Sequence, residues 1–60
     1  MSSATLNQQL TLENILIEFD EARLAGNATR CSELIDIAWN VDIQASNELK
    51  RIYKNTFLSL

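Results

Sequence analysis

Apolar side chains recur along most of this chain at steps of three and four, the period of a helix with one buried face. The longest such pattern runs from Thr29 to Phe57, with no proline or glycine inside it. Within it Cys31, Leu34, Ile35, Ala38, Val41, Ala45, Leu49, Ile52 and Tyr53 fall in one wide stripe on a helix turning about 100° per residue. A shorter pattern starts near Leu10, where Leu12, Ile15, Leu16, Phe19 and Ala22 make a second stripe. Thr11 suits its N-cap, and Glu13 falls in a first turn where an acidic group favours the helix dipole.

Gly26-Asn27 separates the two patterns. Glycine just past a helix end supplies a left-handed C-cap, and Asn27 or Thr29 then suits the N-cap of the next helix. So short a link sends the chain back on itself. The pattern therefore predicts an all-α, antiparallel two-helix hairpin, with helices over residues 11–25 and 29–57. Residues 1–9 are mostly small and polar and are expected to form a flexible tail. The weak point is Asn40-Val41-Asp42-Ile43, a run of poor helix formers, after which Ser46 would make a fair N-cap for a third helix. The apolar stripe keeps its phase across Ala38, Val41, Ala45 and Leu49, so one continuous helix is the expectation.

Both helices carry apolar residues that a hairpin alone does not need. Leu10, Ile17 and Leu24 are spaced by seven and lie on a different face from the first stripe. Trp39 and Ile43 lie off the main stripe of the second helix, and Phe57 returns near the same azimuth. A helix that only covers its neighbour places charge at such positions. Tryptophan is moreover enriched at the centres of protein interfaces.

Length sharpens this surplus. A 60-residue chain buries only about 60 % of its unfolded surface, so small folds commonly add a disulfide, a metal or a partner subunit. One cysteine allows no internal disulfide, and without histidine no zinc site of the usual type can be assembled. Association is the remaining staple. The hairpin is expected to pair with a second copy, most simply as a dimer forming a four-helix bundle.

Charge narrows the partners. The net charge is -3, which argues against a free nucleic-acid binder and against an anionic membrane surface. No apolar run is long enough to cross a membrane, and Met1-Ser2-Ser3-Ala4-Thr5 has no signal-peptide character, so a cytoplasmic location is expected. Along the second helix Glu33, Asp36 and Asp42 precede Lys50, Arg51 and Lys54. That order complements the helix dipole, and the basic end is also a candidate docking patch for an acidic partner surface.

No residue set has the shape of a catalytic site. Cys31 would sit in the first turn of a helix beside Arg30, a setting that activates thiols, but no histidine is present to serve as its base. Glu18, Asp20 and Glu21 lack the histidine that accompanies carboxylates in helical-bundle metal sites. A single glycine rules out a glycine-rich phosphate loop. No catalytic residue, cofactor or metal is therefore expected. The expected function is a non-enzymatic protein-interaction module, acting as adaptor, regulatory subunit or inhibitor of a larger protein through Leu10, Ile17, Leu24, Trp39, Ile43, Lys50, Arg51 and Lys54. Two alternatives come from other classes. Glu13, Glu18, Asp20, Glu21, Glu33, Asp36 and Asp42 would give an acidic nucleic-acid mimic. A break near residues 40–46 with the basic end would give a three-helix DNA-binding regulator.

Overall fold

The computed structural model describes the backbone of residues 3–58 and the side chains of residues 11–58. Among these the chain is all-helical: α1 spans Ser3–Leu24, α2 Ala28–Val41 and α3 Ile43–Tyr53. Lys54–Leu58 continues α3 as a wider π-helical turn. Helix α2 is central, with its extensive contacts made to α1 on one side and α3 on the other. The body is long and shallow, measuring 46 × 19 × 12 Å over its Cα atoms.

Helix α1 begins at Ser3, so Thr11 lies inside it and caps nothing. Nothing in the polar stretch before Leu10 interrupts a helix, and low apolar content alone does not stop one. Its end is built as expected. Gly26 takes φ +73°, the Gly26 amide donates to the Arg23 carbonyl at 3.1 Å, and the Asn27 amide donates to the Ala22 carbonyl at 2.8 Å. These two reversed bonds satisfy carbonyls left open at the helix end. Asn27 then starts α2, its side-chain oxygen accepting from the Arg30 amide at 3.1 Å. Thr29 is the second residue of α2 and lies inside the helix.

The expected continuous second helix is in fact two helices joined at Asp42. That residue is extended (φ -156°, ψ 108°), and its amide closes α2 by donating to the Ala38 carbonyl. Its carboxylate accepts from the amides of Gln44 at 3.0 Å and Ala45 at 3.4 Å, which makes it the N-cap of α3. A single residue thus ends one helix and opens the next. Ser46 is no cap: it is fully buried, and its hydroxyl donates to the Ile35 carbonyl of α2 at 2.9 Å.

The core contains Ile15, Phe19 and Ala22 from α1, Cys31, Leu34, Ile35 and Ala38 from α2, and Leu49 from α3, with Val41, Tyr53 and Phe57 packed at its margin. Small residues stand where backbones approach: Cys31, Ala38 and Ser46 are wholly inaccessible. Leu16 and Ile52, expected on the inner stripes, remain exposed at the margin. Phe57 does not join Trp39. It packs instead beside Tyr53, four residues earlier, with ring centroids 5.1 Å apart.

Candidate functional site

The candidate surface forms where α3 lies back over α2. Trp39 is 46 % exposed on α2, and the Lys50 ammonium of α3 stands 4.8 Å from its ring centroid. A cation over an indole face is attracted by the ring quadrupole, which holds both side chains on one edge. On α3, Ile43 lies seven residues before Lys50 and Lys54 four after it, so all three share a face of that helix. Ile43 is half exposed. The edge therefore carries an indole of α2 beneath Lys50 of α3, with Ile43 about two turns before Lys50 and Lys54 one turn after it along the same face of α3. Among the described residues neither lysine has a carboxylate within ion-pair distance. Arg51 lies further round and is occupied by Glu48 at 2.9 Å. Of the three basic residues read as one patch, Lys50 is held over Trp39, Lys54 has no carboxylate partner among the described residues, and Arg51 is engaged within its own helix.

The second surface is the outer side of α1. Ile17 and Leu24 point almost opposite to Ile15, Phe19 and Ala22 on the helical circumference, and they are 58 % and 73 % exposed. The side chain of Leu10, expected on the same stripe, lies outside the described residues. Glu13 and Asp20 flank the stripe on one side and Glu21 on the other. Asp20 is paired with Arg23, whereas Glu13 and Glu21 have no ion-pair partner among the described residues. Apolar residues thus occupy both sides of α1, only one of which is covered.

Other charged groups serve the fold. Arg30 bridges α2 to α1 through Glu18 at 2.6 Å and also reaches Glu33 at 3.2 Å. The hydrogen bond that Arg30 donates to Glu18, then the one it donates to Glu33, pushes the guanidinium further toward its charged form. This cross-helix tie was not singled out in the sequence, although Arg30 and Glu33 stand at a spacing that allows a pair. Four of the seven carboxylates of the acidic-mimic reading, Glu18, Asp20, Glu33 and Asp42, are committed to ion pairs or to a cap.

Cys31 is fully buried, and its thiol makes only a weak contact with the Phe19 carbonyl at 3.9 Å. Burial raises its pKa, with a smaller opposing effect from the Arg23 charge. That is the reverse of what a reactive thiolate needs. Among the described residues no three acidic or thiol groups gather to hold a metal ion, and no helix is long and apolar enough to cross a membrane. Comparison with protein-family models, curated proteins and solved structures found no match to this chain.

Proposed function

We propose that the chain is a small, non-enzymatic α-helical interaction module. It self-associates into a larger helical bundle, in which two copies bring six helices rather than the four of a pair of simple hairpins, and it docks on a larger protein as adaptor, regulatory subunit or inhibitor. The observation that carries this reading is the Trp39 edge: a half-exposed indole beneath the Lys50 ammonium, an exposed isoleucine, and two lysines that have no carboxylate partner among the described residues. Such an edge suits a partner surface that combines apolar and acidic groups.

The test is a partner captured from the native host, purified, and titrated against wild-type and Trp39→Ala protein. Loss of a buried interface tryptophan commonly costs about 2 kcal/mol, some thirtyfold in affinity. Equal affinity for both proteins would remove Trp39 from the docking surface.

One observation favours a second reading. The break at Asp42 yields three helices, as a small DNA-binding regulator would have. Against it stand the net charge of -3 and a one-residue joint where helix-turn-helix proteins use about three or four. A mobility shift on random duplex at low salt decides between them, because a DNA-binding regulator must retard the duplex there.

A further inference from the structure

The two uncovered faces complement one another better than either complements itself. An α1 face packed antiparallel on its own copy, centred on Ile17, sets Glu13 of one helix against Glu21 of the other. Parallel packing sets each carboxylate beside its own equivalent. Both arrangements place like charges opposite each other. The Trp39 edge paired with itself gathers Lys50 and Lys54 from both copies in the same way. Crossing the two faces removes both conflicts. Ile17 and Leu24 form a seven-spaced apolar stripe bounded by Glu13 and Glu21, and Trp39 and Ile43 lie exposed on an edge that carries Lys50 and Lys54; among the described residues none of these four charged groups has an ion-pair partner.

We propose that the Trp39–Ile43 edge of one copy receives the outer face of α1 from a second copy, with Glu13 and Glu21 set beside Lys50 and Lys54. The proposal rests on the reading of the Trp39 edge as a docking surface and adds the identity of one occupant. The donor and acceptor faces are different patches of the same chain. Such a contact is head-to-tail, and it continues into larger assemblies unless the rotation between copies closes a ring. The pairing of unlike charges also makes association weaken as salt rises.

Because the faces differ, a mixing experiment reads the contact directly. One variant, Ile17→Glu with Leu24→Glu, spoils the donor face. The other, Trp39→Ala with Lys50→Glu, spoils the acceptor face. All four positions are exposed or bear on exposed groups, and circular dichroism checks that both variants keep the helical signal of the wild type. Light scattering behind a sizing column is expected to show wild-type mass rising with concentration and each variant alone as a monomer. An equimolar mixture is expected to restore a species of two chains, since each variant keeps the face that the other lacks. Association of wild type with no restoration in the mixture overturns the crossed contact, yet leaves the Trp39 edge as an interface because its variant is monomeric. Association undiminished in the Trp39→Ala, Lys50→Glu variant overturns both the crossed contact and the docking role of the edge. A wild type that stays monomeric at millimolar concentration overturns self-occupancy, while titration of the purified partner still judges the edge.

Discussion

Ser46 donates its buried hydroxyl to the carbonyl of Ile35 at 2.9 Å, and this bond lies where α3 crosses α2. Two physical demands meet at this position. The side chain must be small enough for the helices to approach, and its polar atom must find a partner once water is gone. Ser46→Ala meets the first demand and drops the bond, so a loss of about 1 kcal/mol is expected. Ser46→Leu fails the first demand and should cost about 1–3 kcal/mol or more through overpacking. Urea unfolding of both variants checks the order. A leucine variant as stable as the alanine variant would show that the crossing is loose.

The joint at Asp42 explains why periodicity misread this region. Ala38 and Leu49 are buried, and Val41 and Ala45 half buried, although a helix break lies among them. The stripe keeps its phase because α3 returns to the same core that α2 faces, so a broken helix and a continuous one ask for the same apolar positions. The evidence for a break was local. Asn40, Val41 and Asp42 are poor helix formers, and aspartate is among the preferred N-caps. Serine at position 46 had the same capping chemistry, and only tertiary packing separates the two.

Asp42→Ala should therefore lower stability by about 1 kcal/mol, within the range of about 0.5–2 kcal/mol measured for lost N-caps. Asp42→Asn keeps an oxygen able to accept from the Gln44 and Ala45 amides and should recover most of that loss. Thermal unfolding of the two variants beside wild type reads the difference. If asparagine is as damaging as alanine, the carboxylate does something beyond capping.

Burial of Cys31 leads to a pH prediction whose sign is fixed by linkage. The folded thiol has a raised pKa, because burial disfavours the thiolate. An unfolded cysteine ionises near pH 8.5. The native state therefore holds the proton after the unfolded state has released it. Stability from this group is complete below about pH 8.5 and is lost as pH rises toward the folded value, with a slope of at most about 1.4 kcal/mol per pH unit. Urea midpoints at pH 7, 8 and 9 should fall in wild type and stay flatter in Cys31→Ala. Thiol labelling should be slow in native protein and fast in denaturant. Rapid native labelling would mean that Cys31 is open to solvent.

The surfaces were legible where local pattern determines them. Ile17 and Leu24 stand opposite the inner stripe of α1 in sequence and in structure, because 3.6-residue geometry alone puts them there. The division of labour among Lys50, Arg51 and Lys54 was not legible. It depends on Arg51 choosing Glu48 and on Lys50 reaching across to Trp39, and both are side-chain arrangements made by the fold. Phe57 departed from its expected face because the break at Asp42 puts it on a different helix from Trp39, so the azimuth that an unbroken helix would give them is lost.

Leu34 and Trp39 are both large apolar residues of α2, five positions apart, and they are expected to fail in opposite ways. Leu34 is 1 % exposed and stands at the centre of the core. Its truncation to alanine should cost about 2–5 kcal/mol. A chain of 60 residues has a total stability of roughly 3–9 kcal/mol. Leu34→Ala is therefore expected to leave the protein largely unfolded or close to its midpoint at room temperature. Trp39 already meets solvent over nearly half its surface, and the Lys50 ammonium stands over its ring. A cation over an exposed ring contributes about 0.5–1 kcal/mol. Trp39→Ala should consequently keep most of the helical circular dichroism signal while weakening association. The contrast separates core from contact surface in one pair of spectra. Collapse of the helical signal in Trp39→Ala, with Leu34→Ala less affected, would place the tryptophan in the core and withdraw the docking surface built on it.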